Sequence, residues 1–360
     1  MPDVHTTLTE VFREEVGRLT AALIHILGDF AVAEEIVQDA LVVALERWPL
    51  DGVPEWPGAW LLTVARRRAL NQLSRDARYR TKLAQLEQPI PQEPDDRVRL
   101  MFTCCHPALS RTGQIVTAHI PYRLPTEDDM GERLSEVMAV LYLMFNEGYL
   151  ASSGTAPTRR DLAEDAAWLT ALVAQHLSGE PEPLGLLALM RLHLARSRAR
   201  FTSDGELILL RDQNRTLWDR SMITEGIALI EQAAALGRPG HYQVEAAIVA
   251  CHAEAANWTA TDWRQIVLLY HLLLQLKPSP VVRLNRAVAL RQVEGPEVAL
   301  EEVNALAGDL ENYHLFHAIR GELLLESSKR EQARASALRA LELTQNSAEQ
   351  FLLTRRLLEW

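Results

Sequence analysis

The chain has 360 residues, 48% of them hydrophobic and 24% charged, with a net charge of -11, which is material for two or three folded units. Its three cysteines, two of them adjacent, imply no disulfide framework and fit a reducing cytoplasm. The opening Met-Pro-Asp-Val-His lacks the basic and apolar stretches of a signal peptide, and no apolar run is long enough to span a bilayer, so a soluble cytoplasmic protein without membrane attachment is expected.

Thr7-Leu8-Thr9-Glu10 forms a capping box, and the helix behind it carries Val11, Phe12, Val16, Leu19, Leu23, Ile24 and Leu27 before ending at Gly28. A second helix is predicted over 33–48, capped by Asp29 and stopped by Pro49. Ala33, Ile36, Val37, Ala40, Leu41, Ala44, Leu45 and Trp48 recur at helical spacing as one buried stripe. Glu34, Glu35, Gln38 and Asp39 project elsewhere as a compact acidic patch. Residues 50–59 make a short loop bearing Trp56, a residue whose type alone favours the core over stacking on an unpaired base.

Residues 60–82 hold seven basic residues against one acid, Asp76, so the rest of the chain carries -17. A chain this acidic repels polyanions overall, and a concentrated basic helix within it calls for a specific reason. Phosphate contact supplies one, because clustered arginines displace condensed counterions. A plain solvated helix face is the competing account.

The order Ala33-Glu34-Glu35-Ile36-Val37-Gln38-Asp39-Ala40, followed by Trp60-Leu61 and Val64-Ala65-Arg66, resembles region 2 of extracytoplasmic-function sigma factors. The resemblance implies that Glu34, Glu35, Gln38 and Asp39 dock on the clamp helices of the RNA polymerase β′ subunit. It also implies that Trp56, Trp60, Arg66, Arg67, Arg68, Asn71, Arg75, Arg78 and Arg80 open and hold the non-template strand of the promoter -10 element. Residue chemistry agrees with both roles. An acidic patch pairs with a basic coiled coil, and an arginine helix beside a Trp-bearing loop suits phosphate contact plus an extruded base. Arg67 stands where the family usually has Asn, and Asn71 where it usually has Asp, which leaves helix and charge intact.

Further blocks are similar to one sigma subgroup that carries a long extension of tetratricopeptide-like repeats. They are residues 96–109, with Cys104-Cys105-His106-Pro107, then Leu141 to Tyr149, Asp204 to Leu207 with Asp212 to Arg215, Thr261-Asp262-Trp263, and Pro278 to Val288. Members of that subgroup place a helix-turn-helix after the Cys-Cys-His-Pro segment, where its second helix reads the -35 element. Such a motif needs about twenty residues. Only nine, 111–119, separate Ser110 from Ile120-Pro121-Tyr122-Arg123, where the pattern resumes. Either the chain lacks this module or the sequence joins two segments across a stretch that it does not contain, and the clean flanks favour the second. No residue is assigned to -35 readout.

The expected fold is all-α. Sigma region 2 is placed at 1–88, a linker and region-4 remnant at 89–119, a helical extension at 120–260 and tetratricopeptide-like repeats at 261–360. Pro89-Ile90-Pro91-Gln92-Glu93-Pro94 is the stiff linker. Helices are predicted over 131–150, 158–177, 183–199, 214–236 and 241–257, with a turn at Asp204-Gly205, a short extended piece at 206–210 and a C-cap glycine at Gly237. Ala287 and Gly321 lie 34 apart, as do Ala299 and Ala333, and Ala340 follows Ala333 by seven. That spacing matches a tetratricopeptide unit, with 346–360 as a capping helix. Such arrays present a concave surface to a peptide or domain; plain antiparallel helical packing with no ligand is the simpler alternative.

No catalytic constellation is visible. Adjacent Cys104 and Cys105 with His106 do not point at one tetrahedral centre, and no second ligand pair completes a site. His314 and His317 share a face without an evident third ligand, and no phosphate loop or dinucleotide fingerprint occurs. Asn146-Glu147-Gly148-Tyr149 reads best as a helix end capped by Gly148. No enzyme activity, metal or cofactor is expected. The sequence reads as a sigma factor whose partners are core RNA polymerase, promoter DNA and a protein bound by the repeats. Its rival is a non-transcribing helical-repeat scaffold derived from a sigma factor.

Overall fold

The structure, a computed structural model, describes residues 19–75, 127–150 and 159–359, apart from positions 21, 25, 26, 28, 29, 55 and 203. The capping box at 7–10, Gly28, the Asp29 cap, Arg78 and Arg80, the linker at 89–94, the Cys104-Cys105-His106 segment and the 110–120 junction lie outside these residues. The chain divides into a first unit, 1–140, and a second, 141–360. The fold is all-α: among the described residues every regular element is helical, and the one β feature is an isolated antiparallel bridge between Phe201 and Leu207.

In the first unit α1 (Phe30–Asp51) packs on α2 (Pro57–Arg75). Leu19, Leu23, Ile24 and Leu27 join Ala33, Ile36, Val37, Ala40, Leu41, Ala44 and Trp48 of α1 in the core, and Leu61, Ala65 and Ala69 of α2 close it. Every predicted stripe residue of α1 is therefore buried except Leu45, which is 47% exposed. Pro49 does not stop this helix either. It sits in the last turn, where its missing N–H costs one bond. The chain leaves the helix at Gly52, whose φ of +83° suits a residue without Cβ and whose N–H bonds the Trp48 carbonyl at 3.0 Å.

Helix α3 (Glu127–Tyr149) runs across position 140. Gly148 is not its left-handed cap. A Cβ there would sit 2.4 Å from the Ala163 nitrogen and 2.9 Å from the Arg159 carbonyl. Gly148 instead lets the start of α4 (Arg160–His176) lie against the α3 backbone, and the Arg159 N–H bonds its carbonyl at 2.8 Å.

The second unit is built round α5 (Pro181–Leu194), which packs against α4, α6 (Arg220–Ala235) and α7 (His241–Glu254). Its apolar residues run all round the helix, the mark of a fully enclosed one, and Leu186, Ala188, Met190 and Leu192 are completely buried. Helix α5 ends at Leu194, short of the predicted 199, in a 3-10 turn at Ser197–Ala199; α6 begins at Arg220 because Asp219 caps it. Gly205 and Gly237 do adopt positive φ, +83° and +69°.

Helix α7 is gripped at both ends by residues from outside it. At its N-terminus the Glu182 carboxylate accepts the Tyr242 and Gln243 N–H groups at 3.1 and 3.3 Å. At its C-terminus the Arg215 guanidinium donates to the carbonyls of His252 and Ala255, the latter at 2.7 Å. Both placements complement the helix dipole. Arg200 treats α3 alike, donating to the Tyr149 carbonyl while lying 3.6 Å over the Tyr149 ring.

Beyond α7 the chain continues as α8 (Trp263–Leu276), α9 (Pro280–Val293), α10 (Pro296–Asn304), the one-turn α11 (Ala307–Leu310), α12 (His314–Glu326), α13 (Arg330–Leu343) and α14 (Ser347–Glu359). Asp262 caps α8, and Ser279 with Pro280 starts α9. Successive helices pack on their chain neighbours. Ala287, Ala299, Ala333 and Ala340 are completely buried and Gly321 is buried, so the predicted small residues do sit where helices meet. Arg355 of α14 pairs with Glu206 at 3.3 Å, tying the last helix back to the segment before α6.

Candidate functional site

The acidic patch and the arginine helix both belong to the first unit. Along α1 the core takes one side, and Glu34, Glu35 and Gln38 are exposed on the other, with Gln38 Nε2 donating to Glu34 Oε1 at 3.3 Å. Asp39 differs. It is half-buried, and its carboxylate pairs with the Arg68 guanidinium of α2. The exposed face also continues past the acids: Val42 and Leu45 follow Gln38 at i+4 and i+7 and are 49% and 47% exposed. Two apolar side chains at this exposure are ordinary for a protein surface, and here they extend the outward side of α1 beyond its acids. The helical stripe pattern hid this, because Leu45 fits either side of a wide stripe.

On α2 the three consecutive arginines point in three directions, since neighbours on a helix stand 100° apart. Leu61, Ala65 and Ala69 fix the inward side. Arg67 is exposed and shares the outer face with Thr63, whose hydroxyl bonds the Ala59 carbonyl at 2.9 Å. Arg66 and Arg68 lie half-buried on the flanks. Asn71 and Arg75 are in the last turns of the same helix.

The aromatic pair splits. Trp60 is half-buried, its ring edge-on to the buried Trp48 with centroids 5.6 Å apart. Trp56 is 72% exposed, so the expectation of a core position fails. It stands at the entry of α2, its carbonyl accepting the Trp60 N–H at 3.1 Å. An exposed indole one turn ahead of an exposed arginine offers a stacking plane beside a phosphate contact.

Elsewhere His314 and His317 find separate partners. His314 lies 3.0 Å from Glu349, whereas His317 bonds the Glu311 carbonyl at 2.7 Å, so the two do not converge. Among the described residues no three metal-ligating side chains gather, and no helix is long and apolar enough to cross a membrane.

Comparison with known proteins follows this division. The sigma-70 region 2 family matches residues 11–79, and a family of unknown function, DUF6596, matches residues 133–234. An uncharacterized protein of Rhizobium meliloti (strain 1021) is 37% identical over 387 aligned positions, covering 91% of this chain and 90% of its own. That aligned span exceeds the 360 residues of the chain, so the relative carries residues with no counterpart here. No solved structure matches. The chain therefore belongs to one family with the Rhizobium protein, and its residues 11–79 are similar to sigma-70 region 2.

Proposed function

We propose that this protein is an extracytoplasmic-function sigma factor that binds core RNA polymerase and directs promoter-specific initiation. The observation that carries the proposal is the layout of α1 and α2. One helix turns acids and then Val42 and Leu45 outward, while the next opens with exposed Trp56 and continues with exposed Arg67. Glu34, Glu35 and Gln38, with the apolar turn behind them, dock on the β′ clamp helices. Trp56 and Arg67, with Asn71, Arg75, Arg78 and Arg80 further along the chain, hold the opened -10 strand. Trp60, Arg66 and Arg68 act nearer the core, by positioning. The extension, read as tetratricopeptide-like from its buried small residues, modulates initiation.

Run-off transcription with core polymerase tests this reading. A discrete product from a cognate promoter is expected, and its absence with a correctly folded, polymerase-binding protein favours the scaffold reading. The relative carries residues without counterpart here; the reading proposed is that a -35-reading module lies between 110 and 120 in the intact protein. An intact mass well above 40.5 kDa is then expected.

A further inference from the structure

Helices α8, α9, α12 and α14 of the second unit surround a cleft of about 400 Å³, bordered also by the 207–211 segment. Each helix turns one face to it, as Trp263, Ile266 and Tyr270 do on α8 and Glu349, Leu352 and Arg356 on α14, at spacings of three and seven. The Arg355 bridge to Glu206 ties these walls together. The inner side of the helical array is thus a partly roofed pocket rather than the open groove that a peptide-binding array offers. Its volume suits a small molecule, for which pockets run from about 300 to 1,000 Å³.

One end is aromatic. The indoles of Trp258 and Trp263 lie 4.5 Å apart at 63°, and the His252 ring lies 5.1 Å from Trp263 and 6.1 Å from Trp258. His252 Nδ1 has no hydrogen-bond partner but is shut off from solvent and from the cleft, so the imidazole borders the cleft as a further ring beside the two indoles. The charged groups of the wall are already committed. Glu322 accepts Arg291 at 3.2 Å and also Arg356, Arg291 reaches Glu326 as well, and Glu349 faces His314. A charged ligand has to break these pairs; an uncharged one leaves them intact.

We propose that this cleft binds an uncharged, planar, mainly apolar small molecule, its ring system against Trp258 and Trp263. The proposal rests on the second unit alone, so it stands or falls separately from the sigma reading.

Nile red, an uncharged planar dye, is the probe, titrated into the full-length chain. Saturable emission at one dye per chain, with excitation transfer from tryptophan, is the expected result. Ala318→Trp fills the cleft and Leu315→Arg places a charge on its wall; each is expected to weaken binding by roughly tenfold or more. Unsaturable binding, more than one dye per chain, or undiminished affinity in either folded variant overturns the proposal. Should Ala318→Trp fail to fold by circular dichroism, Leu315→Arg decides alone, because Leu315 is already 38% exposed.

Discussion

The Asp39 carboxylate of α1 and the Arg68 guanidinium of α2 form an ion pair, so each neutralises a charge that the sequence assigns to a different partner. With the two side chains 50% and 40% exposed, solvent screening limits the pair to about 0.2–1 kcal/mol. A double-mutant cycle with Asp39→Ala and Arg68→Ala, read by denaturant unfolding, should return a coupling in that range. A coupling of zero shows that the two helices are held by apolar packing alone.

Arg67 and Arg68 should then separate in function. If Arg67 holds a strand phosphate as proposed, Arg67→Ala should lower the slope of log affinity against log salt by about 0.7 on a single-stranded -10 oligonucleotide. Arg68→Ala should leave that slope nearly unchanged. Equal slopes for both variants remove the distinction.

Two tryptophans make a second contrast. Trp48 is 1% exposed, and Trp48→Ala should cost about 3–5 kcal/mol of stability. Trp56→Ala should leave stability within about 0.5 kcal/mol while weakening opened-strand binding by about 1–3 kcal/mol. Thermal unfolding and fluorescence anisotropy give the two readings, and a loss of stability at Trp56 contradicts its exposed position.

Two glycines of α3 should respond in opposite directions. Gly131→Ala meets open space and should stabilise the helix by up to about 1 kcal/mol. Gly148→Ala drives a methyl group into the backbone of residues 159–163, and overpacking of this kind costs about 1–3 kcal/mol. Chemical denaturation of the pair settles the matter. A neutral Gly148→Ala means that α4 does not approach α3 as described.

Acid should loosen the second unit through its buried imidazoles. Burial, and then the cations Arg196 and Arg215, push the His252 pKa down to about 4; burial, and then Lys277, do the same to His241. The ordinary value is near 6.5. The unfolded chain therefore binds protons that the folded chain refuses, and stability that is complete above about pH 6.5 is lost as pH falls toward about 4. The unfolding midpoint should decline through that window, and His252→Phe should flatten part of the decline. A flat profile in the wild type refutes the assignment.

Local patterns carried much of this architecture. The α1 stripe and the buried Ala287, Ala299 and Ala333 follow from helical spacing and residue size, which act within a few turns. What escaped depends on distant partners or on competition between faces. Leu45 fits the stripe by period, yet the core is already filled by Ala44 and Trp48. Trp56 is apolar by type, yet it stands exposed just ahead of α2, while Trp48 and Trp60 supply the aromatic packing of the core. Arg200 and Arg215 are ordinary charges in sequence, and only the fold reveals that they satisfy helix carbonyls at Tyr149 and His252. The aromatic cleft brings together Trp258 and Leu353, nearly a hundred residues apart, and no periodicity connects them.

The double grip on α7 has a consequence for inheritance. The helix lies just beyond the segment matched to the family of unknown function, yet Glu182 and Arg215 from inside that segment hold its two ends chiefly by main-chain atoms. The two grips ask little of the side chains at the ends of α7, whereas Tyr242, Val244, Ala246 and Ile248 between them are buried against their neighbours. A diverging relative is therefore free to vary the helix ends so long as one acid and one arginine stay, but its buried positions have to change together with those of α5 and α6.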